Sequence, residues 1–384
     1  MLPASGPAAL LARLAAPPRR TAPLVTPGRL ATGAGLLAGL AALAAGGVAA
    51  GLQLERRLVT RRIYERHEVE EQRGEEEPPF FSLRAPGPDV LTPDGVVLHT
   101  EVDEVAGGAP DDLTVVLVHG YALSLDCWHF QRLHLRGRVR TVLYDQRSHG
   151  RSGRSDVARC RVPQLAEDLF QVLEEVAGPG PVVLVGHSMG GMTIMHLAQE
   201  RPELFGDRVR GVALFSTAAG EMADYSPVRG LPGRVFSRAA PPLLAALNKA
   251  PELVERGRRA GSDLSHVVTR AMAFGSDVPV SYVEFMSDML AQTSLEVVAD
   301  FYPGFAELDE YAAFSVLSTV ETAVVGGEDD LITPVTRTDA IVELLPDADT
   351  RRVADCGHMG ILEHHAVFDQ VIDQLVERVR RRFG

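Results

Sequence analysis

Val185-Gly186-His187-Ser188-Met189-Gly190-Gly191 sets a serine between two glycines at the end of an apolar run. Residues 181–185 have the composition of a buried strand, and residues 191–199 continue with the pattern of a helix. A turn that sharp forces its central residue into an unfavourable backbone conformation. It also brings the two elements so close that the flanking positions must lack a β-carbon. Gly186 and Gly190 meet that need. The stretch therefore predicts a strand-to-helix elbow that presents the Ser188 hydroxyl at a helix N-terminus, with the Met189 amide available to an oxyanion.

A serine hydroxyl is a weak nucleophile at neutral pH, so the elbow implies chemistry only if the chain also supplies a base and a group to orient it. Residues 322–325 read as a strand running into Gly326-Gly327-Glu328-Asp329-Asp330-Leu331-Ile332-Thr333-Pro334, a turn rich in carboxylates. Residues 350–354 read as another, leading into Asp355-Cys356-Gly357-His358-Met359-Gly360, where a Gly-flanked His358 can turn its imidazole toward Ser188. The order along the chain is Ser, Asp, His. Cys356 is a rival nucleophile, but it has no elbow of its own and reads as a small buried residue. His364 and His365 follow Glu363 on an expected C-terminal helix and read as surface or packing residues. His119 and His187 read as structural hydrogen-bonding groups beneath the loops, and His196 as packed against the sheet.

Two further segments extend the pattern: Leu117-Val118-His119-Gly120-Tyr121 and Tyr144-Asp145-Gln146-Arg147-Ser148-His149-Gly150-Arg151-Ser152. With them the chain resembles the α/β-hydrolase superfamily from about residue 80 to its C-terminus. The first is similar to that family's His-Gly oxyanion loop. The second is similar to its Asp-x-Arg-Gly-x-Gly-x-Ser segment, with Ser148 in place of the first glycine. The order Ser, Asp, His is also the family's, and differs from the chymotrypsin and subtilisin orders. The resemblance implies Ser188, Asp330 and His358 as the catalytic triad, its register favouring Asp330 over Asp329. It further implies an oxyanion hole formed by the amides of Tyr121 and Met189. Serine at the elbow disfavours the family's epoxide hydrolases and haloalkane dehalogenases, which attack with aspartate. The resemblance then implies esterase or lipase chemistry on a small-molecule ester, without a cofactor. Thioesters, lactones, peroxyacid formation and transfer to a lipid alcohol would use the same residues.

Strand-like runs at residues 96–102, 113–118, 139–144, 182–185, 209–215, 322–325 and 350–354 alternate with helical stretches. That alternation predicts an α/β fold with a mostly parallel sheet covered by helices on both faces. Ligands in such sheets sit beyond the carboxyl ends of the strands. From about residue 218 to 317 the alternation lapses, and the resemblance makes this an inserted helical lid. Phe274, Phe285, Met286 and Met289 are its candidates for lining an apolar substrate pocket; packing the lid against the core would use the same residue types.

Composition bounds these expectations. A chain of 384 residues, 46% hydrophobic, suffices for one large domain with appendages. Its net charge of -13 repels phosphate backbones and argues against a nucleic-acid partner. The 3 cysteines form no disulfide framework. No His or Cys pair has clean metal-ligand spacing, and no Gly-rich phosphate loop follows a strand, so neither a metal nor a nucleotide is expected.

The N-terminus has a different character. Residues 1–29 carry Arg13, Arg19, Arg20 and Arg29 with no acidic residue, and residues 30–54 carry no charge at all. The uncharged run is long enough to span a bilayer, and its Ala and Gly content suits close helix packing. A transmembrane anchor is the expectation; a cleaved export signal and a soluble Ala-rich helix are the alternatives. Arg56, Arg57, Arg61, Arg62 and Arg66 on the far side leave the orientation open and suit anionic headgroups. Residues 55–79 end in Glu75-Glu76-Glu77-Pro78-Pro79 and read as a charged tether before a hydrolase domain at 80–384. Two other function classes compete. A non-catalytic binding protein on this fold would show a lost triad member, and none is lost. A membrane-tethered interaction module would act through its arginines rather than the elbow.

Overall fold

The computed structural model describes residues 78–108, 113–226 and 262–383, with isolated residues between 233 and 242. The chain enters through a hairpin in which β1 (Val90–Leu91) and β2 (Val97–Leu98) pair antiparallel. The expected single strand over residues 96–102 is thus interrupted. The His99 amide donates to Ser152 Oγ at 2.9 Å instead of continuing a ladder, and a new strand begins after it. That strand, β3 (Thr100–Asp103), is antiparallel to β5 (Arg140–Tyr144) at one edge of the main sheet.

The remaining strands run parallel: β4 (Thr114–Val118), β6 (Val182–His187), β7 (Val209–Phe215), β8 (Glu321–Gly327) and β9 (Asp349–Val353). Their order across the sheet is β3-β5-β4-β6-β7-β8-β9. The longer helices among the described residues are α1 (His129–Leu135), α2 (Val162–Glu175), α3 (Met189–Glu200), α4 (Ser262–Ala273), α5 (Val280–Gln292), α6 (Leu295–Phe301), α7 (Val335–Leu344) and α8 (His365–Phe383). The central strands read as continuous apolar runs because both faces are covered. Successive side chains point to opposite faces, so Val116, Leu184, Val212 and Val324 join α2 and α3 in one apolar cluster. Val115, Val183, Ala213 and Val325 join α1 and α8 in the other. In α2 the buried positions Val162, Leu165, Leu169 and Val172 recur at helical spacing, giving it one apolar face for the sheet.

α4, α5 and α6 belong to the insertion between β7 and β8, where a helical lid is expected. α5 buries Phe285, Met286 and Met289 in the α1–α8 cluster, whereas α6 buries Val297 and Phe301 in the α2–α3 cluster. The described part of the insertion therefore straddles the edge of the sheet at the carboxyl ends of its strands. Most of residues 227–261 lie outside the described residues, as do the leader, the expected span at 30–54 and the tether through residue 77. Among the described residues no helix is long and apolar enough to cross a membrane.

Candidate active site

β6 ends at His187 and α3 begins at Met189, which leaves Ser188 alone in the turn with φ 53° and ψ -119°. A non-glycine residue held there stores about 1–3 kcal/mol of strain. The surroundings over-determine it. The Ser188 amide donates to the Phe215 carbonyl at 2.9 Å, and its own carbonyl accepts from the Thr217 hydroxyl at 2.7 Å. A β-carbon on Gly190 would run into the Val118 carbonyl, and one on Gly186 would come within 2.6 Å of the Gly191 nitrogen, so the close approach of strand and helix is real. Ser188 itself is 7% exposed.

Beyond the end of β8, Asp330 points its carboxylate at His358, with Oδ2 2.9 Å from Nδ1. Its Oδ1 accepts from the amides of Ile332 and Thr333, each at 2.8 Å, a side-chain-to-backbone turn that fixes the carboxylate. Thr333 Oγ1 completes the arrangement, 2.9 Å from Asp330 Oδ2, 2.8 Å from the Ser216 carbonyl and 3.2 Å from His358 Nδ1. With Nδ1 directed at the acid, Nε2 is the nitrogen left for proton transfer. Asp329 is exposed, and its amide donates to the Cys356 carbonyl at 3.0 Å. Asp330, and not its neighbour, is thus the carboxylate brought to the histidine.

The histidine loop is held against the elbow. His187 Nε2 donates to the His358 carbonyl at 3.0 Å, and the two rings lie 4.8 Å apart. Burial holds His187 down to about 3, and the same cause holds His119 down to about 3, so both stay neutral. His119 Nδ1 donates to the Gly120 carbonyl at 2.7 Å while Nε2 accepts from the Gln146 amide at 2.9 Å, tying the two upstream loops together.

On the other side of the nucleophile, a β-carbon on Gly120 would lie 3.1 Å from Ser188 Cβ. This places the Gly120-Tyr121 segment directly against the serine. Among the described residues neither the Tyr121 amide nor the Met189 amide has a protein acceptor. The loop is held by the insertion: the Tyr121 hydroxyl donates to the Val298 carbonyl of α6, and Thr293 Oγ1 donates to the Ala122 carbonyl at 3.1 Å. Burial raises the Tyr121 phenol well above its ordinary range.

Phe274, Phe285, Met286 and Met289 are buried in the cluster that also holds Trp128 and Phe130, and Phe285 stacks on Phe80 with centroids 4.1 Å apart. All four are thus part of the apolar packing between the insertion and the rest of the domain. His365 lies flat on Phe130 at 4.1 Å, and His364 Nε2 donates to the Asp355 carbonyl at 3.0 Å, so both serve packing. His196 differs from expectation: rather than packing on the sheet it pairs with Glu310 at 3.1 Å. Burial pushes the Cys356 thiol far above its ordinary range, which removes it as a nucleophile. Cys356, Glu363 and His364 bring potential metal-ligand atoms within 4.8 Å of one another. Glu363, however, already accepts from three backbone amides.

Thr217, Ser216 and Thr333 are site residues that the sequence patterns do not single out. The Asp330-x-x-Thr333 spacing is a legible signal for a local turn. The role of Thr217, which reaches the elbow from the neighbouring strand's end, has no local signature.

A family model described as the alpha/beta hydrolase fold matches residues 114–365. The chain belongs to the α/β-hydrolase family. Among curated proteins, this α/β hydrolase is similar to the dihydrolipoyllysine-residue acetyltransferase component of the acetoin cleaving system from Pseudomonas putida, 25% identical over 276 residues. That match covers 72% of this chain and spans 64% of the relative's length. Among solved structures, it is similar to a thermophilic esterase from Thermogutta terrifontis, with a TM-score of 0.58 and 24% identity over 77% of this chain and 99% of that one. An esterase from Rhodococcus sp. ECU1013 gives a TM-score of 0.61 at 19% identity, over 76% and 99% of the two chains. Likeness at that identity speaks for the fold.

Proposed function

We propose that this α/β hydrolase cleaves carboxylic esters of small molecules through an acyl-enzyme on Ser188. The observation that carries the reading is the 2.9 Å contact between Asp330 Oδ2 and His358 Nδ1 on a loop packed against the strained Ser188 elbow. His358 Nε2 takes the Ser188 proton as the oxygen attacks the ester carbonyl. Asp330 keeps the second imidazole proton on Nδ1 and stabilises the imidazolium. The Tyr121 and Met189 amides receive the charge that develops on the carbonyl oxygen. The protonated His358 hands its proton to the leaving alcohol, and the acyl group then passes to water activated by the same histidine. A preference for apolar acyl chains is part of the proposal: the insertion brings aromatic surface to the oxyanion loop, with Phe305 edge-on to Tyr121 at 5.0 Å. So is membrane tethering through residues 30–54, which rests on their lack of charge.

Names among the similar proteins, esterases on one side and an acetyltransferase component on the other, support acyl chemistry in general. Lactones, thioesters and acceptors other than water would call on the same groups. The test is fluorophosphonate labelling of the full chain and of Ser188→Ala, in washed membranes and supernatant, followed by a chain-length series of p-nitrophenyl esters. Expected are labelling of the wild type alone, in the membrane fraction, and turnover that rises with acyl length. A wild type that neither labels nor turns over any ester overturns the hydrolase reading in favour of a non-catalytic binding protein. Label confined to the supernatant overturns the tether.

A further inference from the structure

We propose that Glu363 is a positioning residue for His358, a latch that fixes the histidine loop against the insertion; the proposal rests on the serine-hydrolase reading above. Glu363 closes the short helical turn Gly360–Glu363 that follows the histidine. Its Oε2 accepts from the Gly357 amide at 2.7 Å and from the Gly275 amide at 3.2 Å, and its Oε1 accepts from the Ser276 amide. One donor is thus the residue immediately before His358, and the other two lie in the turn between α4 and α5. Hydrogen bonds to an ionised carboxylate are roughly twice as strong as neutral ones.

The two segments meet backbone on backbone. A β-carbon on Gly357 would lie 2.6 Å from the Gly275 nitrogen and 2.7 Å from the Ala273 carbonyl oxygen. One on Gly275 would lie 2.7 Å from the Cys356 carbonyl carbon and 2.8 Å from the Gly357 nitrogen. The Met359 amide donates to the Ala273 carbonyl at 2.8 Å. The amides on both sides of His358 are therefore committed, one to the Glu363 latch and one to the end of α4. β9 delivers the loop, but the insertion sets where the imidazole stands. Glutamine cannot replace the carboxylate, because its NH2 would face one of the three N–H donors.

Two variants break the latch from opposite sides. Glu363→Gln removes acceptor capacity from the histidine side. Gly275→Ala leaves the carboxylate in place and forces the α4–α5 turn off the loop. The readouts are kcat and KM on a p-nitrophenyl ester, the melting temperature, and the downfield proton resonance of His358 Nδ1–H. Both variants are expected to lower kcat by about ten- to a hundredfold, the scale of a misplaced catalytic group, with KM little changed. Both are expected to shift or broaden the resonance. Should Glu363→Gln fail to fold, Gly275→Ala carries the same comparison. Wild-type kcat and resonance in the variants, with or without a fall in melting temperature, overturn the latch. The resonance reads the His358–Asp330 geometry without substrate. A wild type that turns over no ester therefore defeats the hydrolase reading, while the resonance still decides the latch.

Discussion

Asp329 and Asp330 are adjacent carboxylates with different surroundings, and the difference lies in what each side chain meets. Asp330 is 3% exposed, its carboxylate surrounded by two amides, a threonine hydroxyl and His358 Nδ1. Asp329 faces solvent. Asp330→Asn turns an amide NH2 toward the imidazole and favours the wrong tautomer, so kcat is expected to fall about 10⁴-fold, the scale known for such a change in a serine triad. Asp329→Asn is expected to leave kcat at the wild-type level, and steady-state kinetics on both variants checks the assignment; the reverse ranking sinks it. Ser148, standing where the family has glycine, shows how a residue-scale departure is accommodated. It sits at φ 66°, in the left-handed region, which costs a non-glycine residue about 1–2 kcal/mol. Its hydroxyl oxygen offsets that by accepting from the Ser155 amide at 2.9 Å and from Arg154 at 3.1 Å.

The insertion, expected as a lid, has an additional part at the scale of elements: its described helices hold both of the loops that flank the Ser188 elbow. The end of α4 and the α4–α5 turn bind the histidine loop, while Thr293 at the α5–α6 junction and Val298 within α6 bind the proposed oxyanion loop. Ala122 needs such support, since it takes φ 58°. Thr293→Val keeps the shape of the side chain but leaves the Ala122 carbonyl without that donor, at a cost of about 1–3 kcal/mol. The expected result is a kcat/KM lower by about tenfold with a modest fall in melting temperature. Unchanged kcat/KM in a variant that melts lower would show that Thr293 serves stability alone. The strands, the elbow and the order Ser, Asp, His were legible because each is written locally, as an apolar run, a glycine pair or a turn. The break at His99 was not, because Ser152 imposes it from 53 residues further along the chain. Glu363 and Thr217 escaped for the same reason: their partners lie on other elements, and their own neighbourhoods look ordinary.

Across the whole molecule, three of the buried histidines outside the proposed triad, His119, His149 and His187, set an acid limit on stability. Burial holds His119 and His187 down to about 3 and His149 down to about 4, against about 6.5 in an unfolded chain. Between those values the unfolded state carries the protons and the folded state does not. The stability they contribute is therefore present above about pH 6.5 and is lost as pH falls toward the folded values, by about 1.4 kcal/mol per pH unit for each histidine. His99 and His196, raised despite the opposing burial by bonds to Glu101 and Glu310, act in the opposite sense and lose their contribution as pH rises. Asp145 and Asp168, raised by burial, also oppose the acid loss, so the net curve is a sum and a single variant must isolate one term. His149 suits this, because its Nδ1 donates to the Arg147 carbonyl at 2.9 Å, a bond that asparagine can reproduce, and its Nε2 has no hydrogen-bond partner among the described residues. Urea unfolding of wild type and His149→Asn between pH 7 and 4 is expected to show the variant gaining on the wild type by about 3 kcal/mol as the pH falls. A difference that stays flat across that range would mean that His149 takes up its proton in the folded protein as readily as in the unfolded chain, and that its burial carries no acid penalty.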